Sequence, residues 1–191
     1  MKYIALLRGI NVGGKNKVPM SELKSCFKNA GFLNIMTYIN SGNVIFDSEE
    51  QSTTTLVKKC EEIIEKEFGF PISLALTDVN TLKEALEHVP EWWGDDQNSK
   101  HNTIFVIQPA TAQEVIADVG KIKPEYEQLY ADKEIIFWSA PLKTFSRTRW
   151  SKVVGKILYK NITIRNANTT KKLLALALAQ NEMRENDQIE N

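Results

Sequence analysis

The chain has 191 residues, 42% of them hydrophobic, and its 24 basic and 24 acidic side chains leave no formal net charge. It is long enough for one large core or two small ones, with the composition of a soluble globular protein. Its apolar runs stop well short of a membrane span, and Lys2 leads straight into the first strand without signal-peptide anatomy, so a cytoplasmic protein with no membrane partner is expected.

In chain order, Lys2–Leu7 reads as a buried strand and Met20–Ala30 as a helix stopped by Gly31, with Leu23, Cys26, Phe27 and Ala30 facing the core. Met36–Ile39 and Val44–Asp47 are strands joined by Asn40-Ser41-Gly42-Asn43, a tight-turn composition. Leu56–Phe68 is a second amphipathic helix and Ile72–Thr77 a fourth strand. The order β-α-β-β-α-β predicts a ferredoxin-like α+β domain over 1–77.

A helix over Asp78–Val89 and an irregular stretch from Pro90 to Ser99 form a linker over 78–101, where Trp92 and Trp93 read as a staple between domains. The pattern then returns over 102–181. Thr103–Ile107 is a strand, Ala112–Val119 a helix, Gln128–Tyr130 and Ile135–Trp138 a hairpin, Trp150–Tyr159 a helix, Ile162–Ile164 a strand and Thr170–Gln180 a closing helix. Residues 182–191 read as a frayed polar tail. Phe46 and Phe137 read as core, and Trp150 as the candidate exposed aromatic.

Charge is segregated along the chain. Residues 1–46 carry six Lys/Arg and one acid, Glu22; 47–134 carry eight against nineteen acids; 135–181 carry nine Lys/Arg and no acid. Such a field serves an anionic partner if the basic blocks meet, and otherwise offsets itself in solvent. Cys26 and Cys60 sit on apolar helical faces and read as core thiols; His88 and His101 have no ligand cluster around them, so no metal site is expected.

The segment Arg8-Gly9-Ile10-Asn11-Val12-Gly13-Gly14-Lys15-Asn16-Lys17 follows the first strand, with three glycines in six residues. Glycines allow positive φ and close approach to the backbone, and amides beside basic side chains suit an anion. The spacing also resembles a nucleotide-hydrolase loop. However, Asn16 replaces the magnesium-binding hydroxyl, Pro19 delays the helix, and this chemistry uses a parallel sheet. A ferredoxin-like topology instead brings Asn40, Ser41, Gly42 and Asn43 to the same end as Arg8, Gly9, Asn11, Gly13, Gly14 and Lys15. The expected occupant is phosphate or carboxylate; the alternative is a structural turn whose polar side chains cap one another.

A second anion site is expected where Arg147 and Arg149 share an end of the repeat with Arg165, Asn166 and Thr169; its alternative is a helix cap with solvated arginines. Leu6–Lys15, Tyr38–Phe46 and Arg165-Asn166 with Thr169 resemble the bacterial family known as domain of unknown function 1697, a likeness running to about residue 175. The resemblance implies a two-part α+β protein and carries no established activity.

The reading is therefore a protein that binds an anionic, phosphate-bearing small molecule. The alternatives are an enzyme on a nucleotide or phosphorylated metabolite, with Lys15 and Arg165 as electrostatic stabilisers, and a protein-interaction scaffold. Nucleic acid is a weaker partner because exposed aromatics are not interleaved with the basic residues. No motif names a cofactor, a catalytic set or an oligomeric state.

Overall fold

In the computed structural model, residues 1–94 and 96–189 are described, with side chains as far as Gln180. The chain forms two compact units, one of Met1–Lys83 together with the stretch from Lys171 onward, the other of Glu84–Thr170. The closing helix therefore groups, from Lys171, with the first unit rather than with 102–181.

In the first unit, β1 (Lys2–Leu7), β2 (Leu33–Tyr38), β3 (Asn43–Asp47) and β4 (Leu74–Asp78) form an antiparallel sheet in the order β2-β3-β1-β4. Every residue of β1 is buried, as its apolar run requires of a central strand. Helix α1 (Met20–Asn29) starts behind Pro19, and Gly31 at φ +86° turns the chain away at its end. Helix α2 (Thr53–Phe68) is capped by Ser52, whose hydroxyl accepts from the Thr55 amide, and is stopped by the left-handed Gly69. Leu23 and Phe27 of α1 share one core with Leu56, Cys60 and Ile64 of α2, against Tyr3, Ala5, Leu7, Val44 and Phe46 of the sheet. Both helices thus cover one face, as the ferredoxin-like order demands.

The second unit repeats this order. Strands β5 (Ser99–Val106), β6 (Gln128–Asp132), β7 (Ile135–Pro141) and β8 (Ile162–Asn166) align as β6-β7-β5-β8, again antiparallel, and α4 (Ala112–Val119) opens with a capping box of Thr111 and Glu114. Helices α3 (Val79–His88) and α5 (Ala167–Ile189) complete the chain. The expected tail over 182–191 lies, apart from the helical backbone to Ile189, outside the described residues.

One element differs from expectation. Trp150–Tyr159 is not an α-helix; between β7 and β8 the chain makes three short 3-10 turns, Leu142–Arg147, Trp150–Gly155 and Ile157–Asn161. Lys152, Lys156 and Tyr159 donate to the carbonyls of Arg149, Val153 and Lys156, all three residues back. Gly155 and the β-branched pair Val153-Val154 weaken helix propagation here, and a buried side chain described below takes two of the first amides. Trp150, expected as an exposed aromatic, is 2% exposed and packs in the core with Val153 and Trp138. Phe46 and Phe137 are core residues, as read. Trp93, expected as a staple between domains, is buried within the second unit, its Nε1 donating to the Asn102 carbonyl and its ring edge-on to Phe137 of the same unit.

Candidate functional site

The glycine segment folds into a small hairpin rather than an open loop. Val12 and Lys15 pair, the Lys15 amide donates to the Val12 carbonyl at 3.1 Å, and the Asn11 amide donates to Asn16 at 3.0 Å. Gly13 and Gly14 form the tip at φ +59° and +76°, the pair of positive values that a primed two-residue turn needs. Asn11 and Asn16, also at positive φ, are residues that tolerate it, and the Asn16 side chain donates back to the Gly9 carbonyl. The Lys15 and Asn11 amides are therefore held by the hairpin itself. Gly13 and Gly14 are exposed, and no hydrogen bond among the described residues occupies their amides.

Asn11 joins this hairpin to its surroundings. Its Nδ2 donates to the carbonyls of Val18 and Asn40, and its Oδ1 accepts from the Val18 amide. The turn before β3 thus comes to the hairpin, as the topology predicted. Behind it, the Leu7 amide donates to the Gly42 carbonyl, and a Cβ on Gly42 would stand 2.6 Å from Ile10 Cδ1. Asn43 is fully buried and donates to the Tyr38 carbonyl and to Ser41 Oγ, the mutual capping named as the alternative. What remains open to a ligand is a depression of about 350 Å³ lined by Asn11, Gly14, Lys17, Val18, Pro19 and Asn40, with exposed Lys15 beside Gly14. Arg8 is half-exposed, and its amide donates to Ser73 at the start of β4.

The residues of the second constellation have separate tasks. Arg165 is 7% exposed on β8 opposite Thr103; its Nη1 donates to Thr163 Oγ1 and the Ile164 carbonyl, and burial lowers its pKa to about 10. The Asn166 side chain accepts from the Thr169 amide and caps α5. Arg147 lies over the Tyr126 ring, while Arg149 exposes its side chain.

Three buried or half-buried pairings escaped the reading of the sequence. Glu127, 2% exposed, accepts from four donors: the Lys123 and Arg149 amides on Oε1, and Trp138 Nε1 and the Trp150 amide on Oε2. Lys2 pairs with Asp47 at 3.2 Å, donates to Gln180, and borders a depression of about 720 Å³ at the opposite end of the first sheet from the hairpin. His101 Nδ1 lies 2.6 Å from Ser139 Oγ and its Nε2 2.8 Å from the Asp96 carbonyl. Both ring nitrogens are thereby engaged and the serine is buried, which suits a structural tie better than a nucleophile and its base. A lysine inside an apolar strand was the one visible signal; Glu127 reaches Arg149 and Trp150, and His101 reaches Ser139, across 22 or more residues, which leaves no local pattern. Cys26 and Cys60 are buried thiols, pushed up to about 11 and about 12 chiefly by desolvation.

The model of the family described as a protein of unknown function, DUF1697, matches residues 1–137. The chain belongs to that family. The match spans the hairpin and the Asn40–Asn43 turn and ends short of Arg165, Asn166 and Thr169. Among solved structures, the conserved bacterial protein SP0830 from Streptococcus pneumoniae is 36% identical to this DUF1697 protein, at a TM-score of 0.83 over 92% of this chain and 97% of that one. No curated protein matches.

Proposed function

We propose that this cytoplasmic DUF1697 protein binds a phosphate-bearing or other anionic small molecule at the end of its first sheet, in the depression between the glycine hairpin and Asn40. The observation carrying this reading is the Asn11 side chain. By holding Val18 and Asn40 together it makes Gly14, Lys17 and Asn40 walls of one depression. The tip amides of Gly13 and Gly14 and the ammonium groups of Lys15 and Lys17 then supply donors for an anion, with Glu22 the only acid among residues 1–46. Because the Asn11 and Lys15 amides are internally bonded, the ligand is held by side chains and tip glycines rather than by a deep nest, which favours modest affinity.

The test is thermal stabilisation by nucleotides and phosphorylated metabolites, comparing wild type with Lys15→Ala and Lys17→Ala. A true occupant stabilises the wild type, and each variant weakens it by about tenfold or more, the worth of a charge-assisted hydrogen bond. A ligand that stabilises all three equally places the site elsewhere, and a panel without effect leaves the hairpin as a structural turn.

A further inference from the structure

The two units share strand order but fill the connection from third to fourth strand differently. In the first unit the slot holds α2, whose exposed charged positions are Lys58, Lys59, Glu62, Glu65, Lys66 and Glu67, with no exposed apolar side chain. In the second it holds the strap of 3-10 turns over 142–161, with six Lys/Arg and no acid. The fold thus tolerates a neutral outer surface in this slot, and the strap's basic one needs a separate reason.

The strap is apolar on both sides. Inward, Trp150 and Val153 are buried, and the Leu158 amide donates to Asp118 of α4. Outward, Val154 and Ile157 are 66% and 79% exposed, Ile157 being the most exposed large apolar side chain among the described residues. Ile157 and exposed Lys160 stand three apart in the last 3-10 turn, the period that stacks side chains along one edge, and Val154 is exposed near the end of the preceding turn, across the extended Lys156. Lys152 is exposed beside them and Lys156 half-exposed, with Leu142, Lys143, Arg147 and Arg149 exposed earlier in the strap.

We infer, against the expectation of no membrane partner, that the strap is a docking surface for an anionic lipid bilayer. Charge complementarity selects a surface dense in negative charge, and aliphatic rather than aromatic exposure selects lipid over nucleic acid. Bases stack on exposed aromatic rings, and here Trp150 is buried, Phe145 and Tyr159 are half-buried against the core, and Tyr126 lies beneath Arg147. No helix among the described residues is long and apolar enough to cross a membrane; the contact is peripheral, with Val154 and Ile157 entering the headgroup region and the lysines meeting lipid phosphates.

The experiment is co-sedimentation of the full chain with phosphatidylglycerol-containing and pure phosphatidylcholine vesicles, at low and physiological salt. Binding is expected only to the anionic vesicles, weakening with salt. Each lysine removed in Lys152→Ala and Lys156→Ala lowers partitioning about fivefold, and the pair Val154→Asp with Ile157→Asp lowers it on the order of tenfold or more. Removing Lys58 and Lys66 from α2 changes little. Thermal melts verify that each variant is folded. No binding to anionic vesicles at low salt overturns the inference, as do equal binding to phosphatidylcholine or strap variants that bind like wild type. Tight binding of a single-stranded oligonucleotide that survives the Val154 and Ile157 changes would overturn it in favour of nucleic acid.

Discussion

Glu127 is the side chain whose loss the second unit should tolerate least. Its carboxylate is almost fully buried and takes four N–H donors at 2.7–3.1 Å, two of them the Arg149 and Trp150 amides at which the middle 3-10 turn begins. Glu127→Ala removes every acceptor at once. A buried donor left without a partner costs about 1–3 kcal/mol; with water recovering part of the loss, the total is about 4–6 kcal/mol. For a chain of this length that is a fall in Tm of about 10–20 °C. Glu127→Gln keeps one oxygen, so two donors stay bonded while the other two face an NH₂ group, and about 2–4 kcal/mol is lost. Calorimetry would measure both. Limited trypsin digestion adds a local readout, because a strap released from Glu127 should be cut at Arg147, Arg149 and Lys152 well before the rest of the chain. A Glu127→Gln protein melting within ~2 °C of wild type, with no early cleavage there, would refute the assignment of Glu127 as the fastener.

Gly42 and Gly14 share φ +76°, but only Gly42 has neighbours a Cβ would strike. Gly42→Ala is therefore expected to cost about 3 kcal/mol or more against about 1 kcal/mol for Gly14→Ala, and equal losses in denaturant melts would contradict the packing of Gly42 on Leu7 and Ile10. Burial raises the Cys60 thiol from an ordinary 9.0 to about 12. Below pH 9 it is neutral in both states and has no effect; above pH 9 the unfolded chain releases the proton and the folded one retains it, so stability falls as pH rises toward 12. Denaturant midpoints for wild type and Cys60→Ala between pH 8 and about 10.5 should converge as pH rises, and parallel curves would show that the thiol is not held neutral.

Local signals carried much of the fold. The unbroken apolar run of β1, the stops at Gly31 and Gly69, and the Asn40–Asn43 turn each act through neighbours only a few residues away, where sequence reading is strongest. The meeting of the glycine segment with Asn40 followed from topology alone. Its internal bonding did not: Asn11 was read as a ligand donor, whereas together with Asn16 it closes and anchors the hairpin. Arg165 was misplaced for want of register. It shares a β8 face with Thr163, and pairing with Thr103 puts that face inside. The strap failed because apolar residues three and four apart also fit an α-helix, and the competing acceptor, Glu127, lies more than twenty residues away in the acidic part of the chain.

The 3-10 backbone shapes the surface the strap presents. An α-helix in the slot satisfies its own interior amides, as α2 does, and can turn all its apolar side chains to one face. Short 3-10 turns bond poorly beyond each turn, so the strap borrows acceptors from Glu127 and Asp118 to fix its path. With the inner edge of the middle turn occupied by Trp150 and Val153, Val154 beside them is left exposed, and so is Ile157, which opens the next turn after the extended Lys156. Their exposure follows from the backbone, yet backbone geometry does not require those positions to be apolar or the lysines around them to go without acids. Serine and glutamate there would leave the buried edge and both acceptors untouched. The composition of the outer edge is thus the part of the strap that folding does not account for, and it is where selection by a partner surface would act.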